Sequence, residues 1–211
     1  MNGFERRKQA KMQTILEAAE ALFTQDGISA TPIAHIARQA GVSQVSIYNY
    51  FENKQGLVLA VIRQIVQRYT AIADDILTSD LPFLEKLIRL FDMKKQELLS
   101  YNPDFFSALF HQNQEVYQYL LQVCEQESLP RLRQLVAMGK AEGVISPALS
   151  DEAVMLYTRV ILQAYEQMQG DISPALWGDM LSLFVFGLDG CRPLPGAPLP
   201  HPTAGPAPAA E

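Results

Sequence analysis

Cysteine and histidine are scarce in this 211-residue chain: two cysteines, Cys124 and Cys191, and three histidines, His35, His111 and His201, all far apart. A His/Cys metal site needs clustered ligands, so no metal is expected. The chain also lacks a Gly-x-Ser-x-Gly elbow, a glycine-rich phosphate loop and a His-Glu-x-x-His pair. Without a nucleophile, base or metal constellation we expect neither catalysis nor a cofactor. Two isolated cysteines, in a chain whose start is polar and charged instead of leader-like, read as reduced thiols and a cytoplasmic location. Long apolar runs are absent too. The longest candidate, Leu181 to Leu188, is fenced by Asp179 and Asp189, far short of the roughly 18 residues a membrane span requires. No internal repeat is visible.

Length and a hydrophobic fraction of 48% allow one sizeable core and a small accessory domain. Charge is unevenly spread. Residues 1–68 hold eight basic side chains (Arg6, Arg7, Lys8, Lys11, Arg38, Lys54, Arg63, Arg68) against five acidic ones, whereas the remainder holds nine against eighteen. The first part is therefore +3 within a chain of −6. Overall acidity does not argue against an anionic partner, because the steering field is local. Arg6, Arg7, Lys8 and Lys11 precede or open the first helix, and read equally as a solvated terminus or as a grip on a phosphate backbone.

The stretch Thr31 to Lys54, TPIAHIARQAGVSQVSIYNYFENK, carries the most local information. Thr31 is a suitable N-cap, with Pro32 at the first helical position. Ile33, Ile36 and Ala37 share one face of a short helix that Gly41 should end. Val42 follows as an apolar plug, Ser43 caps a second helix, and Ile47 and Phe51 recur four residues apart as its buried face. The connection is about as short as a helix-turn-helix requires. His35 lies on the outer side of the first helix, solvated or near phosphate and not a metal ligand. Gln44, Val45, Ser46, Tyr48, Asn49 and Tyr50 remain outward.

That outward set suits the major groove of DNA. Glutamine and asparagine can each present a donor and an acceptor to adenine, and small apolar or hydroxyl groups can touch the thymine methyl. Gln44 and Asn49 are the first candidates for base contacts, with Val45 and Ser46 in the turn that enters deepest. The Tyr48 and Tyr50 hydroxyls can reach phosphate oxygens, and Lys54, after the N-cap Asn53, adds a charge-assisted contact. Periodicity alone also fits a pair of scaffold helices in a protein-binding adaptor.

Ile15 to Leu57 resembles the DNA-binding domain of the tetracycline-repressor (TetR) family of bacterial regulators. Its pattern of an A-x-x-L-F-x-x-x-G helix followed by T-x-x-x-I-A-x-x-A-G-V-S-x-x-x-x-Y-x-x-F-x-x-K-x-x-L is met by Ala19, Leu22, Phe23, Gly27, Thr31, Ile36, Ala37, Ala40, Gly41, Val42, Ser43, Tyr48, Phe51, Lys54 and Leu57. Val45 and Gly56 depart mildly from it. The resemblance implies an all-α fold: an N-terminal three-helix DNA-binding domain with a helix-turn-helix, then a larger helical effector-binding and dimerisation domain. It implies that Gln44, Val45, Ser46 and Asn49 face bases of a near-palindromic double-stranded operator while Thr31, Tyr48, Tyr50 and Lys54 contact phosphate. It also implies a repressor that a small molecule releases by tilting the fourth helix, here Asn53 to about Ile76.

On this reading residues 1–56 form the DNA-binding domain, 57–192 the helical effector and dimer domain, and 193–211 a disordered tail. The tail holds seven of the 13 prolines and little that could pack. Helices are expected over Leu57 to Ile76, from Phe83 to near Asn102, from Phe105, over Val116 to Cys124, and over Leu129 to Glu142 with a stop at Gly143. Val154, Tyr157, Val160, Ile161, Ala164, Tyr165 and Met168 stripe the penultimate helix, and Leu176, Trp177, Met180, Leu181, Phe184 and Leu188 the last. Helices so apolar need cover on two sides, most simply from a second copy. The expected homodimer interface is Tyr157, Ile161, Tyr165, Leu176, Met180, Leu181, Phe184 and Leu188. Phe106, Phe110, His111, Tyr117, Tyr157, Arg159, Gln163 and Glu166 would line the effector pocket, with Phe91, Phe105 and Asn113 as further candidates. The aromatic content suits a flat or lipophilic molecule.

Overall fold

The structure, a computed structural model, describes residues 3–102, 105, 113–167 and 183, with side chains throughout except at 94, 95, 97–99, 159 and 161–167. All regular elements among the described residues are helical: α1 (Gly3–Asp26), α2 (Ile33–Gln39), α3 (Gln44–Phe51), α4 (Lys54–Thr78), α5 (Phe83–Ser100), α6 (Gln114–Val123), α7 (Leu129–Ala141) and α8 (Asp151–Gln167). None is long and apolar enough to cross a membrane.

Glycines stop three of these helices where the backbone turns left-handed. Gly27, Gly41 and Gly143 have φ of 85°, 64° and 73°. After α2, the Val42 amide donates to the Ala37 carbonyl at 2.9 Å and the Gly41 amide to that of Arg38 at 3.3 Å. After α7, Val144 reaches Gly139 at 2.9 Å and Gly143 reaches Lys140 at 3.1 Å. Both ends are Schellman motifs, which satisfy carbonyls that a helix end would otherwise leave exposed.

Helix α2 begins one residue later than the sequence suggests. Its N-cap is Pro32, whose carbonyl accepts from His35 and Ile36, while Thr31 turns away from the helix. The Thr31 hydroxyl donates to the Gly27 carbonyl at 2.8 Å, and the side chain has no exposed surface. The threonine thus ties α2 back to the end of α1 instead of capping α2.

Helices α6 and α7 run into each other through a π-helical segment, Cys124–Ser128. Pro130 explains the wider turn. It lacks the amide that a continuous α-helix would direct at the fourth residue back, and its ring would strike that turn.

Two cores organise the described residues. The first joins Ile15, Ala18, Ala19, Leu22 and Phe23 of α1 to α2, to Ile47 and Phe51 of α3, and to Leu57, Val58, Val61, Ile62 and Ile65 of α4. Tyr101, Phe105 and Val116 complete it. The second joins Leu77 at the end of α4 to Phe83, Leu87, Leu135, Val136, Ile145 and Val154. Each large side chain buried this completely contributes roughly 1.5–3 kcal/mol. Phe105, considered for the effector pocket, is instead 2% exposed in the first core, its ring stacked on Tyr101 with centroids 4.6 Å apart. Phe91 packs on the second core, and Asn113 caps α6 by accepting from the Val116 amide at 3.1 Å.

Polar ties cross between these layers. The Asn102 amide donates to the Thr24 carbonyl at 2.9 Å and its side chain to that of Gln25, closing the end of α1. Glu20 of α1 takes a 2.6 Å ion pair from Arg68 and a hydrogen bond from Gln64 on α4, which holds the Arg68 guanidinium well above its ordinary pKa. Asp74 of α4 accepts from Nε and Nη2 of Arg131 at 2.6 and 2.8 Å, and this pairing lowers the carboxyl pKa. Glu142 caps α5 from the end of α7, accepting the Phe83 amide at 2.8 Å. Buried Lys86 donates to the Leu77 carbonyl at 2.8 Å, capping the end of α4.

Gly139 allows α7 its close approach within the second core. A Cβ there would lie 2.7 Å from the Ile145 side chain and 2.8 Å from the Phe83 ring. Gly139→Ala is expected to destabilise the fold by about 1–3 kcal/mol through overpacking, read as a lower urea midpoint with an unchanged m-value.

Candidate nucleic-acid interface

Helix α3 is short but firmly set. Ser43 has extended backbone dihedrals, and its hydroxyl oxygen accepts the Ser46 amide at 3.1 Å, a full N-cap. Ile47 is 0% and Phe51 7% exposed, and they anchor one side in the first core. At about 100° per residue, Val45 and Asn49 fall on the side opposite these anchors, flanked by Ser46. Val45 is 66% exposed, and Asn49 and Gln44 are exposed as well. An outward valine of this size costs hydration and has no neighbour among the described residues to cover it, which suits apolar contact with a groove floor.

The residues expected at the interface separate by environment. Gln44, Val45 and Asn49 form an outward surface without charge. Ser46 is half-buried and its hydroxyl lies 2.9 Å from that of Ser43, so it serves the cap as well as the surface. Tyr48 is 47% exposed. Tyr50 is half-buried, packed on the first core and edge-on to Phe51 with centroids 6.4 Å apart. Lys54 opens α4 half-buried, and that burial lowers its ammonium pKa. Thr31 does not belong with these residues. A threonine with no exposed surface and its hydroxyl bound to Gly27 cannot offer its side chain to phosphate without opening the α1–α2 turn.

The joint between α3 and α4 holds what sequence reading missed. Glu52 has φ 64° and ψ −51°, the only non-glycine residue with positive φ among those described. The Asn53 amide donates to the Phe51 carbonyl two residues back at 2.7 Å, which makes Glu52 the centre of a strained γ-turn. Asn53 then caps α4 by accepting the Gly56 amide at 2.8 Å. Gly56, which reads as a mild softening of the helix start, is required by this geometry: a Cβ there would lie 2.2 Å from the Phe51 carbonyl oxygen. The last carbonyl of α3 therefore rests against the first turn of α4. The only sequence signal is a glycine where a helix former would be preferred.

The expected effector residues do not form a site among those described. Tyr117 is 40% exposed on α6, whose Val116 belongs to the first core, whereas Tyr157 packs on the second. Phe106, Phe110 and His111 lie outside the described residues, as do the side chains of Arg159, Gln163 and Glu166. Of the expected dimer residues, Tyr157 donates to the Leu183 carbonyl at 3.3 Å. The side chains of Ile161 and Tyr165, and all of Leu176, Met180, Leu181, Phe184 and Leu188, lie outside the description, as does the tail 193–211. Helix α8 exposes Leu156 (61%) and Val160 (54%) while burying Val154 and Thr158. Leu156 is absent from the stripe that the sequence pattern marks.

Residues 15–61 match the family model for bacterial regulatory proteins of the tetR family. Over 145 residues the chain is 28% identical to an uncharacterised HTH-type transcriptional regulator, YhgD of Bacillus subtilis, covering 65% of this chain and 73% of that one. It is 42% identical over 62 residues to the HTH-type transcriptional regulator RutR of Escherichia coli, 29% of either chain. In fold it is similar to FadR of Bacillus subtilis, solved in complex with stearoyl-CoA, with a TM-score of 0.63 at 20% identity over 83% of this chain and 98% of that one.

Gly56→Ala is expected to lower stability by about 1–3 kcal/mol, because the new methyl meets backbone and not a side chain that could move. A lower thermal midpoint checks it. A midpoint equal to that of the unaltered protein would mean that the α3–α4 joint is not as tight as described.

Proposed function

The chain belongs to the TetR family of bacterial regulatory proteins and is a DNA-binding transcriptional regulator, and we propose that it acts in the cytoplasm as a dimeric repressor, released from a near-palindromic operator by a small molecule. The observation that carries the DNA-reading assignment is the surface of α3. It is uncharged, anchored on one side by Ile47 and Phe51 and outward at Val45 and Asn49, and it is followed directly by Lys54. Gln44, Val45, Ser46 and Asn49 read bases in this proposal, and Tyr48, Tyr50 and Lys54 hold phosphate. Tyr50 would have to use its hydroxyl, since its ring is packed on the first core.

Two such heads are needed to span successive grooves. The two-fold assembly is supported by Leu156 and Val160, exposed apolar neighbours on α8, together with the apolar pattern of Ile161, Tyr165, Leu176, Met180, Leu181, Phe184 and Leu188. We assign residues 1–56 to reading, 57–192 to effector binding and dimerisation, and no role to 193–211. The effector site is proposed among Phe106, Phe110, His111, Tyr117, Tyr157, Arg159, Gln163 and Glu166. Its aromatic composition favours a flat or lipophilic molecule, and the stearoyl-CoA complex of FadR is in keeping with the lipophilic choice.

The division of labour on α3 is tested by binding to duplexes selected from a random library. Asn49→Ala or Gln44→Ala should relax preference at one or two operator positions at a cost of about 1–3 kcal/mol, whereas Lys54→Ala should weaken all duplexes alike and reduce the salt slope by about one. Equal behaviour of the two kinds of variant would refute the split, and no selective retardation of any duplex would refute DNA reading. Leu156→Glu with Val160→Glu should convert a dimer to monomer in sedimentation and weaken operator binding. A monomeric unaltered protein would remove the dimer from the proposal.

A further inference from the structure

Helix α1 begins well before its core. Its first buried residue is Ile15, with Met12 partly buried before it, so Gly3 to Lys11 form more than two exposed helical turns. These turns carry Arg6, Arg7, Lys8 and Lys11, none of which makes an ion pair among the described residues. The placement opposes helix stability. Arg7 and Lys11, and Lys8 and Lys11, are like charges at helical spacings of four and three, and cations in the first turns oppose the macrodipole; each effect costs some tenths of a kcal/mol.

Register places these charges relative to α4. Gln13 and Leu16 share a groove with Ala60 and Arg63, and Glu20 meets Gln64 and Arg68. The two helices therefore advance in the same sense, offset by about 47 residues. Carried back at the common rise of about 1.5 Å per residue, that register sets Arg7 and Lys8 level with Lys54 at the start of α4. Gly3 to Arg6 continue past it, on the end of the domain where the α3–α4 joint lies.

We propose that the exposed first turns of α1 are a basic arm that, alongside Lys54, grips the phosphate backbone of duplex DNA flanking the base pairs read by α3. The arm rests on the DNA-reading assignment above. It adds to it a longer footprint and a sequence-independent share of affinity. Glu5 is the one acid in these turns, so the segment keeps a surplus of positive charge for duplex phosphates to neutralise.

The test compares the full chain with a variant carrying Arg6→Gln, Arg7→Gln, Lys8→Gln and Lys11→Gln. Binding is measured by anisotropy from 50 to 300 mM salt on a duplex selected by the unaltered protein, either trimmed to the base pairs whose identity the selection fixes or extended by about eight at each end. The unaltered protein should favour the extended duplex. The variant should lose that preference, keep its base preference, and show a salt slope smaller by about 0.9 for each phosphate it no longer neutralises. Arg133→Gln, on the exposed face of α7, should change neither. An unchanged slope and an unchanged flank preference in the quadruple variant would overturn the arm while leaving α3 as the reader. Failure of the unaltered protein to select any duplex would overturn both. Arg7→Glu with Lys8→Glu, at equal far-ultraviolet helicity, guards against loss of binding by unfolding. It should cost more affinity on the extended duplex than Arg7→Gln with Lys8→Gln does, and an equal or smaller loss counts against the arm.

Discussion

Helix α4 is the constraint on which the rest depends, because it is a member of both cores. Leu57, Val58, Val61, Ile62 and Ile65 are buried with α1, α2 and α3, and Leu77 with α5, α7 and α8. At about 1.5 Å per residue a helix of this length is a rod, and it cannot rotate in one core without disturbing the other. The joint to α3 adds to that rigidity. The Phe51 carbonyl lies against Gly56, Glu52 is held at positive φ, and Asn53 ends one helix and caps the next. Movement of α4 therefore carries α3 with it unless the γ-turn opens.

The contacts along α4 determine what such a movement must break. Near its start the Asn113 side chain reaches the Gln55 carbonyl at 3.4 Å, and Arg63 stacks over the Tyr119 ring at 5.3 Å. In the middle Arg68 pairs with Glu20, and near the end Asp74 pairs with Arg131. Asn102 holds the end of α1 from the C-terminal end of α5. The ion pairs are half-exposed and individually worth under about 1 kcal/mol. Together they form a set of weak ties that can be exchanged while the apolar cores stay intact. That is the combination a two-state tilt requires, since packed cores move between discrete arrangements and do not deform continuously.

The fold is legible in the sequence where local chemistry and tertiary packing agree. Gly41 ends α2, Ser43 and Asn53 cap the next two helices, and Ile47 and Phe51 are buried as their spacing predicts. Thr31 misleads because a threonine before Pro-Ile has the form of an N-cap, yet the end of α1 offers its hydroxyl a nearer carbonyl at Gly27. Phe105 and Asn113 look like pocket residues in a sequence, where an aromatic or amide has no address. In three dimensions one fills the first core and the other caps a helix. Gly56 reads backwards, since intrinsic propensity sees only a weak helix former, while its value lies in the 2.2 Å that a Cβ would leave to Phe51. Leu156 escapes because it lies off the stripe that Val154 and Tyr157 begin, and a hydrophobic pattern cannot say that Leu156 and the stripe's own Val160 are both left exposed.

The strain at Glu52 bears on how release would operate in the proposed repressor. A residue held in such a conformation stores of order 1–3 kcal/mol. A hundredfold loss of DNA affinity corresponds to about 2.7 kcal/mol of coupling, and an effector can supply no more than its differential affinity for the two states. The two quantities are of the same order, so the joint cannot be treated as inert. If a tilt of α4 relaxed the γ-turn, the energy stored there would favour the tilted state and lessen what the effector must provide. If the tilt tightened it, the joint would oppose release by a similar amount. Either way, the 2.7 Å hydrogen bond from Asn53 to Phe51 that closes the γ-turn is the contact through which a tilt of α4 is felt at the end of α3.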